Sequence, residues 1–149
     1  MLFRSPATRI ESIHLAADGT LWVGTGAGLA RRVNERFEVV PIKLKQGGVA
    51  EGIVSRQGIA TDAKDFMYLA TERGLVRGTP AGGFELVAPP PGSSERGVSS
   101  VFLDASSTVW YGCGTSLCQL GEDGARDVGK QFGLPEAEWW AIQIGRAHV

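Results

Sequence analysis

Two cysteines are the residues whose type and spacing most directly suggest chemistry in this chain of 149 residues. Cys113 and Cys118 flank a short segment with the composition of a tight turn. On adjacent strands of one hairpin, such a pair comes within reach of a disulfide, which would suit an oxidising compartment. The alternative, which we favour, is two buried and unlinked thiols that act as small apolar side chains. No further Cys or His repeats the spacing that a four-ligand metal site needs, so we predict no metal.

The histidine and aspartate residues offer weaker candidates for chemistry. His14 is the one histidine away from the chain ends, and a general base needs a nucleophile or acid partner that nothing in the sequence supplies. We therefore interpret His14 as a strand residue. Asp18 precedes Gly19 and is most simply a turn former rather than a cation ligand. The sequence predicts no catalytic residue, no metal ligand and no cofactor.

Composition excludes several classes of partner. The net charge is −1, and no basic stripe interleaved with aromatic residues indicates a nucleic-acid surface. No apolar run approaches the roughly 18 residues of a membrane-spanning helix. The 21 glycines and the 43% hydrophobic content favour an all-β globular fold.

One sequence motif recurs along the chain and predicts the elements that position its side chains. It runs from Asp18 to Leu29, and degraded copies occupy 64–75 and 106–117. An aromatic residue recurs in the middle of each copy, at intervals of 46 and then 42 residues, and a glycine turn follows it. We expect these aromatic residues in the core between neighbouring sheets. The structural residues of the repeat are Asp18, Gly19, Trp22, Gly28, Tyr68, Gly74, Trp110 and Gly112.

Each motif copy lies among four short apolar runs joined by turn residues, and four strands in forty-odd residues is typical of a β-propeller blade. The second run of each set is apolar on both faces, as in sheets that stack face to face. The sequence therefore predicts an all-β fold, a β-propeller fragment of about three four-stranded antiparallel blades plus the first strand of a fourth. A small sandwich or open barrel would explain the strands but not their repeated order. The predicted blades span about 9–41, 53–88 and 97–129, with the start of the fourth at about 138–143.

The segments outside these blades are predicted separately. Residues 41–52 form a long polar connection, and the proline-rich 88–97 cannot form regular structure. Residues 1–5 and 144–149 resemble translated sequencing adapters, so we expect that they are not native and that the chain is partial.

The first motif, with Ile13 before it, resembles the two-component regulator propeller repeat. The later copies keep part of the pattern, namely Ile59, Asp65, Tyr68, Thr71 and Gly74-Leu75, then Val101, Trp110, Gly112 and Leu117. The Gly133-Leu134-Pro135 run is similar to that family's inter-repeat linker. The second copy departs from the pattern at Tyr68 and Ala70, and the third lacks the Asp-Gly turn.

The resemblance implies a non-catalytic, periplasmic or otherwise extracytoplasmic sensor region of a bacterial receptor, whose kinase or cyclase output domain would lie elsewhere. Its partner would be an unidentified small molecule or glycan, or a second receptor chain. The alternative is a propeller enzyme similar to streptogramin lyases, which share a related Asp-Gly-x-Leu-Trp turn and would carry their acid/base residues on other blades.

Topology predicts where a ligand would bind. If the first strand of each blade is innermost, the second-to-third turns and the connectors share one rim, and loops on a rigid scaffold are where function concentrates. That rim would carry Lys43, Lys45 and Glu51, together with six candidate ligand contacts, Arg56, Glu72, Arg73, Glu95, Arg96 and Thr115.

Overall fold

The computed structural model describes residues 9–50, 52–53, 56–91 and 97–136. Within these ranges the chain forms three four-stranded antiparallel sheets and one two-stranded hairpin, with no α-helix. The first sheet contains β1 (Ile10–Leu15), β2 (Leu21–Thr25), β3 (Gly28–Val33) and β4 (Arg36–Val40). The hairpin contains β5 (Ile42–Lys43) and β6 (Val49–Ala50). The second sheet contains β7 (Ile59–Thr61), β8 (Met67–Thr71), β9 (Gly74–Thr79) and β10 (Gly83–Leu86). The third contains β11 (Val98–Leu103), β12 (Val109–Cys113), β13 (Ser116–Gly121) and β14 (Gly124–Asp127).

The turn between the first two strands of each sheet has one geometry in three different sequences. Gly19, Asp65 and Ser107 occupy the same position, with φ of 89°, 63° and 65°. Only glycine adopts this conformation without steric cost, and the other two tolerate it because an aspartate upstream stabilises the turn. Asp62 and Asp104 each accept hydrogen bonds from the backbone N–H groups two and four residues further on. The Asp-Gly pair that the third copy lacks is therefore replaced without loss of the turn.

The first and second sheets pack face to face around an apolar layer. Strand alternation directs Trp22 and Leu29 toward the second sheet, where Leu69, Met67 and Val76 meet them in one buried cluster. A hydrogen bond of 2.8 Å also joins His14 Nε2 to Thr61 Oγ1 across the two sheets.

The opposite face of the second sheet packs against the third. Tyr68, Ala70 and Leu75 contribute to a second cluster, together with Val101 and Tyr111 of the third sheet. Tyr111 is 3% exposed, and burial raises the pKa of its hydroxyl to about 12. β8 buries both faces because the first and third sheets cover it on either side, which is why its sequence does not alternate.

The first connector, predicted as a long polar connection, contains a two-stranded hairpin and several buried apolar residues. β5 pairs with β6, and the turn between them lies along the outer edge of the second sheet. There Lys45 N donates to the carbonyl oxygen of Phe84 at 2.7 Å, and the Gln46 side chain bonds both backbone groups of Leu86. The buried Ile42, Leu44 and Ala50 hold this hairpin on the core. Their alternation with polar residues had the strand period, but it was too short to be distinguished from a loop.

Three four-stranded antiparallel sheets, stacked in chain order, are β-propeller blades. The predicted fold class is confirmed for the described part of the chain. The proposed start of a fourth blade at 138–143 and the adapter-like ends at 1–5 and 144–149 lie outside the described residues. No helix among the residues that the structure describes is long and apolar enough to cross a membrane.

Candidate functional site

The two ends of each sheet carry different turns and connectors. The turns between second and third strands and the connectors lie at one end, here called the connector end. Arg56, Glu72, Arg73 and Thr115 all lie there and are exposed. The structure thus brings these four predicted contacts to the same end of the molecule. Glu95 and Arg96, like Glu51, lie outside the described residues.

The described residues at the connector end pack between the sheets at two places. Between the second and third sheets, a cavity of about 20 Å³ borders Arg73, Pro89 and Tyr111, and this volume suits about one water molecule. Between the first and second sheets, Ile53 is fully buried, and its N–H donates to the carbonyl oxygen of Thr25 at 2.8 Å.

A larger depression lies at the opposite end, between the second and third sheets. This inter-sheet groove has a volume of about 450 Å³. Its lining residues come from β8, β9, β12 and β13, from the turn before β12 and from the turn after β13: Tyr68, Arg77, Ser107, Thr108, Val109, Gln119, Leu120, Gly121 and Glu122. Sequence reasoning missed this groove, because it placed ligands on the connector end. The one available signal was Tyr68, the position where the repeat changes from tryptophan to a smaller ring with a hydroxyl.

The three repeat aromatics lie in three separate sheets but in different surroundings. Trp22 is 6% exposed, and the Arg31 guanidinium lies 5.9 Å from its ring centroid. Tyr68 is only partly buried, and desolvation, followed by the nearby Asp62 carboxylate, raises the pKa of its hydroxyl. Trp22 and Tyr68 thus lie between adjacent sheets, as expected.

The place of Trp110 in a core between sheets stays a prediction, because the next predicted blade lies outside the described residues. Trp110 lies on the same face of its sheet as Trp22 and Tyr68 on theirs, the face away from the preceding sheet. Its indole N–H donates to Asp104 Oδ2 at 2.9 Å, and this bond, with the Thr108 N–H, holds the pKa of that carboxyl below its usual value. Phe132 lies 6.1 Å from the indole, centroid to centroid. The segment after β14 folds back over this face, so a chain segment rather than a described sheet covers Trp110.

The two cysteines form a disulfide in the structure. The interpretation as unlinked thiols is wrong because the residues lie diagonally across β12 and β13, with Cα atoms 5.8 Å apart, well within bridging range. In the other two sheets, Thr25 and Thr71 occupy the position of Cys113. Each threonine hydroxyl accepts from the N–H two residues further on (3.1 and 3.2 Å) and donates to the carbonyl three residues further on (3.4 and 2.8 Å). The disulfide takes the place of this hydroxyl clamp in the third sheet.

Among the described residues, His14 and Asp18 have no partners with which to form a catalytic site. Burial lowers the pKa of His14, whose ring bonds a threonine rather than a carboxylate. The Thr20 N–H holds the pKa of Asp18 below its usual range. The described part of the chain contains no group of three His, Cys, Asp or Glu residues that could hold a metal ion. Asp18 Oδ1 accepts from the Thr20 N–H at 2.8 Å, a bond within the turn between β1 and β2.

Comparison with known proteins identifies similar folds rather than a family. No protein-family model matches the chain, and no curated protein matches it. Similar solved structures include the extracellular domains assigned to two hybrid two-component systems from B. thetaiotaomicron. The BT4673 domain has a TM-score of 0.63 and 22% identity over 86% of this chain. The BT3049 domain has a TM-score of 0.63 and 18% identity over 89%. This chain covers 18% and 20% of those two chains, about a fifth of their length.

Proposed function

We propose that this chain is part of a non-catalytic β-propeller in the extracytoplasmic sensor region of a bacterial two-component receptor. The observation that carries the proposal is the stack of three four-stranded sheets, which is similar over most of the chain to extracellular domains of two such systems. The Asp18–Leu29 motif supports the same assignment through its resemblance to the two-component regulator propeller repeat. The Cys113–Cys118 disulfide supports an oxidising compartment outside the cytoplasm.

The connector end is the surface we propose for signal recognition. Arg56, Glu72, Arg73 and Thr115 lie exposed on short turns and connectors of a rigid scaffold. Arg73 is held at its backbone by the Thr71 hydroxyl, and its guanidinium lies against Gly48 of the first connector. An open surface with both charges suits a small polar molecule or glycan, or the same end of a second receptor chain.

The experiment that tests the proposal is recovery of the complete gene. We expect further four-stranded repeats, then a membrane helix and a histidine kinase or diguanylate cyclase domain. A gene that ends directly after a closed propeller, with neither helix nor output domain, would overturn it. Secretion of the chain into a bacterial periplasm, followed by thiol alkylation and mass measurement, tests compartment separately: we expect Cys113 and Cys118 to be protected from alkylation there.

A further inference from the structure

We propose that the inter-sheet groove is a second binding site, on the end opposite the connector end, and that it binds a small zwitterion such as an amino acid or dipeptide. The volume of about 450 Å³ lies within the roughly 300–1,000 Å³ of small-molecule sites. Both sheets contribute to its walls, so the site exists only because two blades are adjacent. This inference goes beyond the proposed sensor role and does not depend on it.

The aromatic residue at the equivalent position in the first sheet, Trp22, is buried, so a partly exposed ring is not a general consequence of blade packing. There Trp22 pairs across the strands with Arg31, whose guanidinium lies over the indole and helps to bury it. In the second sheet, Tyr68 pairs with Arg77 in the same register. Both arginines donate to a glutamate on the fourth strand of their sheet, Arg31 Nε to Glu38 Oε1 at 3.4 Å and Arg77 Nε to Glu85 Oε1 at 2.7 Å. The difference lies in the aromatic rings, because Trp22 is buried whereas Tyr68 stays partly exposed at the groove.

The charges on the groove walls indicate the ligand class. Arg77 brings a cation from the second sheet, and Glu122 brings an anion from the third. The floor between them is apolar, with the buried Val109 and Leu120 beside the Tyr68 ring. A guanidinium binds a carboxylate through paired hydrogen bonds, and a carboxylate binds an ammonium group. A molecule with both groups and an apolar side chain satisfies all three features at once.

A neutral donor on the groove wall also suits the carboxylate end of such a ligand. Tyr68 faces the third sheet, and its hydroxyl, like any phenol, is protonated at neutral pH and can donate a hydrogen bond.

Titration calorimetry on the full chain with L-leucine and L-leucyl-L-leucine tests this site. Isovalerate, isopentylamine and glucose serve as anionic, cationic and neutral probes. We expect a zwitterion to bind more tightly than any of the three. Arg77→Gln and Glu122→Gln should each weaken that binding by about tenfold or more, the value of one charged hydrogen bond. The matched control, Arg31→Gln, alters the same register position one sheet earlier and should leave binding unchanged.

Three results would overturn the proposal: no zwitterion binding up to about 10 mM, glucose binding as tightly, or equal binding by Arg77→Gln, Glu122→Gln and the parent chain. Thermal unfolding of each variant identifies a loss of fold. Glu122→Gln keeps the test decisive if Arg77→Gln unfolds, because Glu122 lies in an exposed turn away from the Arg77–Glu85 pair. Because the site is remote from the connector end, this result and the gene-level test of the sensor role can fail independently.

Discussion

At the level of single residues, burial and local hydrogen bonds decide what the polar side chains do. His14 is half-buried between two sheets and has its pKa lowered by desolvation. Asp18 and Asp104 have lowered pKa values because turn N–H groups and, for Asp104, the Trp110 indole donate to them. These groups stabilise turns and an interface, and each gives the folded state a distinct dependence on pH.

Acidification should destabilise the fold over the pH range in which His14 becomes protonated. The unfolded chain binds a proton near the ordinary pKa of 6.5, whereas the folded pKa is lower, so stability is complete above 6.5 and falls as pH drops toward the folded pKa. We expect the urea midpoint to decrease between about pH 7.5 and about pH 5.5. His14→Gln, which keeps a partner for Thr61, should flatten this dependence. If the urea midpoint of the variant depended on pH as that of the parent chain does, His14 would not be the group responsible. Asp18 and Asp104 do not contribute in this window, because they titrate only near and below their ordinary pKa of 3.8.

The third-sheet hairpin offers a direct test of the disulfide as a clamp. Replacing both cysteines with alanine should cost about 2 kcal/mol of unfolding free energy, the value for a bridge that closes so short a loop. Cys113→Thr with Cys118→Val copies the second sheet, so the restored hydroxyl bonds and apolar volume should recover about 1 kcal/mol of that loss. Urea unfolding of the two double variants measures the difference, and equal stabilities would contradict the equivalence with Thr71.

At the level of elements, the first connector contributes to the packing of the sheets as the strands do. The first connector covers the outer edge of the second sheet with backbone hydrogen bonds, which protects an edge strand from unwanted pairing. Its end, Ile53, wedges between β2 and β8 and bridges to Thr71. This wedge fits because Gly24 leaves room for it.

Gly24→Ala should therefore be destabilising where Gly26→Ala is not. A Cβ at Gly24 would lie 2.7 Å from Ile53 Cγ1, whereas a Cβ at Gly26 meets nothing within 4 Å. Overpacking of this kind costs about 1–3 kcal/mol. Chemical denaturation of the two variants compares them directly. Ile53→Ala in the Gly24→Ala background should relieve part of the clash, and strictly additive losses would show that the two residues do not interact.

At the level of the whole molecule, the described residues leave apolar side chains exposed on the outer face of the stack. Ile13 and Val39, on the outer face of the first sheet, are 66% and 61% exposed. Ile59 and Val101 hold the position of Ile13 in the next two sheets and are 4% and 1% exposed, because the preceding sheet covers them. The same surface that joins the described blades is thus presented to solvent by the first one.

This chain in isolation should therefore self-associate through the first sheet. Ile13→Lys with Val39→Lys should shift it toward a monomer, because charges oppose the burial of an exposed apolar face. Val49→Lys is the matched control, since Val49 is 46% exposed but lies on the connector hairpin. Sedimentation velocity over a concentration series measures the effect. A chain that is already monomeric, or that is equally affected by the control, would contradict this role for the face.

The sequence by itself determined the repeat and the number of strands in each sheet, because these follow from local turn chemistry and apolar patterning. The tertiary structure decided what depends on distant contacts. It placed the first connector on β10 and brought Cys113 within bonding distance of Cys118. It also opened the inter-sheet groove beside Tyr68, which no single motif could show because its walls come from two blades some forty residues apart.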